Sequence, residues 1–183
     1  MVRQTEELEF ERLNPIWVSG SYPRIGLELE KMLAIQTRVH NGEEFPSNEA
    51  PPLIILCPNK ENVTLEVERL RASAPDVPIL VLGSHLDEQL ARSAYLAGAH
   101  GFIHLEMQPA QIVGSLSGAS KGETVVPRDL LKVFLEKMVS RRDLIVLTPR
   151  QREFLELVAT TATFKDEIVV PRQLLEALLE RDL

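Results

Sequence analysis

"PPLIILCPNKENVTLEVERLRASAPDVPILVLGS", residues 51–84, decides the fold. Leu53 to Leu56 form an apolar run of strand length that ends on Cys57, Pro58 and a polar turn. Val63, Val67 and Leu70 then recur at helical spacing. Val77 to Leu82 is a second, near-continuous apolar run, the pattern of a parallel strand covered on both faces. Strand, helix and strand in this order make a βαβ unit. Its right-handed crossover leaves the strands parallel and brings their C-terminal ends, Cys57 included, to one edge of the sheet.

The same rhythm extends in both directions. "LDEQLARSAYLAGA" (86–99) places acids at the positive end of a helix that closes at Gly98. "GFIHL" (101–105) reads as a strand, and "QPAQIVGSLSGASKG" (108–122) as a weak helix burdened by Gly114 and Gly118. Upstream, "PIWVS" (15–19) is a short strand. "YPRIGLELEKMLAIQ" (22–36) is a helix with Ile25, Leu29, Met32 and Leu33 on one face and Pro23 near its start. "TRVHN" (37–41) suggests an edge strand, and "GEEFPSNEAPP" (42–52) a loop. The alternation predicts an α/β domain with a parallel five-stranded sheet. Residues 1–14 form an acidic N-terminal lead.

Composition narrows the function. The 183 residues, 44% hydrophobic and 26% charged, describe a globular chain long enough to bury a core. No apolar run approaches the ~20 residues that cross a bilayer. The acidic, polar start is unlike a signal peptide, so a cytoplasmic protein without membrane contact is expected. One cysteine excludes an internal disulfide and a multi-cysteine zinc site. A net charge of −7 argues against a broad nucleic-acid surface.

Several motifs together resemble one family. "APDVPILVL" (74–82), "AYLAGAHGF" (94–102) and "GETVVP" (122–127) fall in the order and at the intervals of a bacterial response-regulator receiver domain, most closely the NarL/FixJ type. The resemblance covers about residues 15–135 and is densest over 51–128. It implies a flavodoxin-like fold in which the second helix, for which 41–52 is too short, is reduced.

The resemblance also implies a chemistry, and the residues depart from it. A receiver uses a carboxylate after the third strand as phosphoacceptor, with acids after the first strand holding Mg²⁺. A hydroxyl after the fourth strand and a lysine after the fifth bind the phosphoryl oxygens. Here the acid positions fall at Gly20 and Ser21, the phosphoacceptor at Cys57, the hydroxyl at Gly83 (with Ser84 adjacent) and the lysine at Leu105. Phe102 keeps the aromatic switch position. This is the pattern of a pseudo-receiver with no catalytic residue, cofactor or metal, and the expectation is a protein that is not an enzyme. An unrelated flavodoxin-like domain that never carried the chemistry is the alternative.

Cys57 can be read as a redox sensor, as a metal ligand with His85 and His104, or as a small apolar residue filling the emptied site. A reactive thiol needs an electropositive setting, for which the near sequence offers Lys60, and the chain holds no resolving cysteine. No fourth zinc ligand is evident beside the trio. His40 and His100 are too scattered to contribute. The filling role is favoured.

The C-terminal part raises a separate question. "LTPRQREFLELVATTATFKDEI" (147–168) resembles the opening of a LuxR-type helix-turn-helix domain, with Thr148 as N-cap, Pro149 at the first helical position, and Leu155 and Val158 on the buried stripe. Only "VVPRQLLEALLERDL" follows, so the module reads as truncated. Residues 147–183 carry five cations against seven anions, a balance of −2, which removes the phosphate attraction behind most nonspecific affinity. The organisation expected is a lead (1–14), a pseudo-receiver (15–122), a linker helix (123–146) and a helical segment (147–183).

An internal echo crosses these boundaries. "KGETVVPRDLLKVFLEK" (121–137) recurs as "KDEIVVPRQLLEALLER" (165–181), an offset of 44. Each copy starts a helix at its proline and carries an apolar face, Leu130, Leu131, Phe134 and Leu135 in one and Leu174, Leu175, Leu178 and Leu179 in the other. Those faces predict a packing or dimerisation surface. Three functions follow as candidates. The first is a phosphorylation-independent regulatory protein that dimerises or docks an unknown protein partner. The second is an atypical LuxR-family transcriptional regulator that binds DNA as an oligomer. The third is a thiol sensor built on Cys57. Charge and the missing recognition helix favour the first over the second, and the absent resolving cysteine disfavours the third.

Overall fold

The computed structural model describes residues 16–33, 37–39, 51–140 and 167–179. The lead, the segment 40–50 and the helix-turn-helix-like opening at 147–166 lie outside the described residues.

The strands form where the apolar runs predict them: β1 (Ile16–Ser19), β2 (Thr37–Val39), β3 (Ile54–Leu56), β4 (Ile79–Gly83) and β5 (Gly101–His104). They pair in parallel in the order β2-β1-β3-β4-β5. The helices between them are α1 (Pro23–Leu33), α2 (Val63–Ser73), α3 (Glu88–Ala97) and α4 (Pro109–Ser120). Helix α3 has the caps its sequence announces. Asp87 accepts a hydrogen bond from the Leu90 amide, and Gly98 closes the helix in the left-handed conformation. The glycine-burdened α4 is a complete helix, started by a capping box between Gln108 and Gln111.

Two cores result, one on each face of the sheet. Helices α1 and α4 cover Val18, Ile55, Leu80, Leu82 and Ile103, while α2 and α3 cover Ile54, Leu56, Val81 and Phe102. A strand buried on both faces has to be apolar throughout, which is why the central runs do not alternate.

The sheet does not stop at five strands. Two more extend it past β5: β6 (Val125–Pro127), parallel to β5, and β7 (Glu167–Val169), antiparallel to β6. Helix α5 (Arg128–Ser140) follows β6 and α6 (Arg172–Leu179) follows β7. The expected count of five is therefore corrected to seven, and residues 167–179 share the receiver-like sheet instead of forming part of a separate helical segment. The expected linker helix (123–146) likewise begins with a strand. Three-residue strands this short carry too little periodicity to be told from a helix start by sequence alone.

The same extension corrects the dimerisation assignment. Leu130, Leu131, Phe134, Leu174, Leu175, Leu178 and Leu179 are buried within the chain, and Leu135 is packed against the same core. Their apolar faces are covered by the receiver-like domain itself, so they are not a free intermolecular surface.

Polar contacts fix this arrangement. The Tyr95 hydroxyl, fully buried, donates to the Val125 carbonyl at 2.8 Å and accepts from the Phe102 amide at 3.1 Å. It thus bridges β5 and β6 beyond their single paired position, Gly101 with Val125. Helices α3 and α6 lie antiparallel and cap each other. The Arg172 guanidinium donates to the carbonyls of Tyr95, Gly98 and Ala99 at the end of α3 (3.1, 3.2 and 3.3 Å). Arg92 donates through Nε to the carbonyl of Leu179, the last residue of α6, at 3.1 Å. Cations at helix C-termini satisfy orphan carbonyls and the negative end of the dipole together.

Removing these groups should loosen the extension. Tyr95→Phe leaves a buried amide and a buried carbonyl short of a partner, and Arg172→Ala takes a donor from three carbonyls at the end of α3, of which that of Tyr95 keeps the Gly98 amide. Each is expected to cost about 1–3 kcal/mol in urea unfolding, with the slope unchanged. Arg172→Lys should recover little of the loss, because an ammonium lacks the fork that reaches three acceptors.

Candidate functional site

The C-terminal ends of β1, β3, β4 and β5 bring Gly20, Ser21, Cys57, Gly83 and Leu105 to one edge of the sheet, as the crossover rule predicts. Cys57 has no exposed surface and belongs to the core between the sheet, α1 and α4. Its amide donates to Ser19 O at 2.8 Å and its carbonyl accepts from the Tyr22 amide at 3.0 Å, so the chain after β1 folds over it.

Gly20 turns this chain with φ +111°, a conformation that L side chains rarely adopt, and a Cβ there would stand 2.5 Å from the Cys57 carbonyl oxygen. A carboxylate at position 20 does not fit this backbone. Ser21 points outward and donates to Glu66 Oε1 at 2.9 Å, and the same oxygen accepts a long bond from the Asn59 amide, 3.4 Å. Glu66, in the first turn of α2, therefore ties the two loops at this edge together. The sequence reading missed it, because it lies 45 positions from Ser21 and its own helix gives no reason to single it out.

At the other side of the edge, a Cβ on Gly83 would meet the Phe102 ring at 3.0 Å. Phe102 is completely buried, so the aromatic ring fills the space beside this position. Ser84 is exposed and its hydroxyl is 2.9 Å from His85 Nδ1. Leu105 packs on the apolar core. His104 stands beside Phe102, with ring centroids 6.3 Å apart, and burial holds its imidazole below the usual pKa.

This donor set does not fit Mg²⁺, which needs carboxylate and other hard oxygen ligands in near-octahedral array. Gly20 offers no side chain, Ser21 is turned to Glu66, and Cys57 is sealed inside. The trio Cys57, His85 and His104 is not brought together as a ligand set, and no group of three His, Cys, Asp or Glu side chains gathers for a metal among the described residues. Two cations near this edge are already engaged. Lys60 pairs with Asp87 at 2.9 Å, and Lys137 pairs with Glu88.

Comparison with known proteins agrees with the fold. No protein-family model matches the chain. It is 33% identical over 102 residues to the methanol utilization control regulatory protein MoxX of Paracoccus denitrificans, covering 55% of this chain and 46% of that protein. It is 30% identical over 129 residues to the nitrate/nitrite response regulator NarL of Escherichia coli K12, covering 65% of this chain and 60% of that one. A solved RcsB response regulator of Salmonella typhimurium superposes with a TM-score of 0.52 at 16% identity, covering 82% of this chain and 79% of that chain. The fold is that of a response-regulator receiver domain, and the sequence likeness is to regulators such as MoxX and NarL. It spans 46% to 60% of the length of these curated relatives.

Cys57 is sealed from solvent within this fold. Burial pushes the Cys57 thiol up to about 12, against a lowering hydrogen bond from the Gly26 amide and a raising contribution from Glu66. A thiol raised from its ordinary 9.0 is protonated near neutral pH, and burial also denies reagents access to it. Native protein at pH 8 should react with a disulfide reagent at least a hundredfold more slowly than protein in guanidinium, which should release one equivalent of thiol promptly. Stoichiometric labelling of the native protein within minutes would reinstate the sensor reading.

Proposed function

We propose that this chain is a phosphorylation-independent regulatory protein of response-regulator type that works in the cytoplasm through contacts with other proteins, a second copy among them. The observation that carries the reading is the edge around Cys57. Phosphoryl transfer to a receiver needs a carboxylate nucleophile and a charge cluster that stabilises the transferring group. In place of the nucleophile stands a buried thiol. The first acid position is a glycine at φ +111° whose Cβ would collide with the Cys57 carbonyl. The lysine position is an apolar side chain packed on the core. At the hydroxyl position stands Gly83, where a Cβ would meet the ring of the buried Phe102 at 3.0 Å.

The test is incubation with acetyl phosphate and Mg²⁺ followed by intact-mass measurement. The mass should stay unchanged, for the native protein and for Cys57→Asp alike, because one carboxylate without the acids and the lysine leaves the phosphoryl charge uncompensated. A stoichiometric gain of one phosphoryl group on the native protein would overturn the reading.

The transcription-factor alternative has less support. The one described helix in the position of a recognition element, α6, has its leucines buried and its Arg172 engaged with the carbonyls of α3 and with Glu176. A reading helix has to present such donors to base edges and phosphates. Selection from random duplexes at physiological salt is expected to enrich no sequence. Specific complexes typically reach ~10⁻⁸ M or tighter, so recovery of a discrete motif would favour DNA binding instead.

A further inference from the structure

The two copies of the internal echo are paired with each other. Val125 and Val169, which coincide in the echo, face each other in the antiparallel β6–β7 ladder. The flanking rungs are Val126 with Ile168 on one side and, through the Val170 amide bonded to Thr124 O at 2.9 Å, position 124 with position 170 on the other. Shifting each position by the offset of 44 turns one rung into the other. A local two-fold axis therefore passes through the Val125–Val169 pair. The helices obey it as well. Leu130 and Leu174, Leu131 and Leu175, and Phe134 and Leu178 are echo mates, all buried in the core on one face of the sheet, and Val126 and Val170 are buried in the same core. On the other face the mates differ. Val125 is buried beside α4, whereas Val169 on the outer strand is 51% exposed.

A two-fold relation between unlike segments of one chain is the geometry that two identical segments would adopt across a dimer axis. We propose that β7–α6 fills, within one chain, a self-complementary seat, and that the partner this seat fits is the β6–α5 unit of a second copy of this chain. In that dimer β6 pairs with β6 of the partner copy, with the two Val125 residues opposed. Each α5 lies across the partner's α3, and Arg128, the echo mate of Arg172, takes its place at the carbonyls of Tyr95, Gly98 and Ala99. Two observations favour this occupant. The Val125 amide donates to His100 O, just before β5, which leaves the 125 position a non-hydrogen-bonded one toward β7, where a residue can face its own copy closely. And the apolar residue at each of these echo positions, leucine or Phe134, keeps the apolar face that the seat covers. Inside the chain the seat is kept filled by proximity, so exchange with a second copy requires that β7–α6 be released. This deepens the interaction-module reading, on which it rests, by naming the partner. Its test is independent of phosphorylation, so the two can fail separately.

Two full-length variants test it. In the first, Arg172→Glu and Leu175→Glu empty the seat, and Val125→Cys marks the axis. Light scattering should report a dimer at micromolar concentration. Oxidation with diamide should join the thiols introduced at position 125 of the two copies, a bond located by peptide mass. A monomer, or a dimer without that bond, overturns the proposal. So does exchange of β7–α6 between copies. It would appear in Val125→Cys/Val169→Cys protein, with the seat otherwise native, as an intermolecular bond from position 125 of one copy to position 169 of the other. In the second variant, residues 165–181 are rewritten with the sequence of 121–137. If the seat accepts that sequence, the chimera is a monomer that unfolds cooperatively, its midpoint falling less than half as far as that of the emptied variant. A fall as large as the emptied variant's, or loss of cooperative unfolding, overturns the proposal. The chimera decides alone if the emptied variant does not fold.

Discussion

The hydroxyl of Tyr95 is the contact on which the extended architecture depends. Strand β6 meets β5 at one paired position, too little to hold a strand in register by its ladder alone. The tyrosine oxygen supplies the missing rung by accepting from β5 and donating to β6. Because the group is buried, it has to be satisfied, and with β6 placed here it has both an acceptor and a donor. Burial also raises the phenol above its ordinary pKa, which favours the protonated, donating form. With β6 fixed, β7 has an edge to pair with and α6 is laid along α3.

The reciprocal arginines then act as a lock between two short helices. Helix α6 has eight residues, a length that is marginal on its own. Its leucines are buried against α3 and α5, and its ends are tied at Arg172 and at Leu179. The burden of stability therefore falls on tertiary contacts made by residues 73 to 87 positions apart in the chain. The receiver strand order is preserved underneath, and the C-terminal additions cover one end of the sheet that would otherwise be an open edge.

The region around Cys57 places structural groups at the ends of the strands. Each strand still ends where a functional group would be needed. What stands there is a glycine turn, a buried thiol, a glycine against a phenyl ring, and a leucine on the core. The carboxylate of Glu66, which reaches this edge from α2, is engaged with Ser21 and the Asn59 amide. These substitutions are mutually consistent. The close approach of residue 20 to the Cys57 carbonyl requires the glycine, and the sealed pocket favours a small apolar side chain at 57.

The parallel sheet, its helices and the receiver resemblance were legible in the sequence, because strands buried on both faces must be apolar runs and helices between them must carry a 3.6-residue stripe. The absence of the receiver's usual residue types at the strand ends was legible as well, since residue identity is written in the sequence. The echo of 121–137 in 165–181 was visible, but not its meaning. The leucine faces predict burial without saying against what, and a dimer and an intramolecular cover satisfy the same periodicity. Strands of three residues leave no period to read. The roles of Tyr95, Arg92 and Arg172 depend on carbonyls distant in the chain, and a backbone carbonyl has no signature in sequence. Only the tertiary structure brings them within hydrogen-bonding distance, and that decided where β6, β7 and the two terminal helices lie.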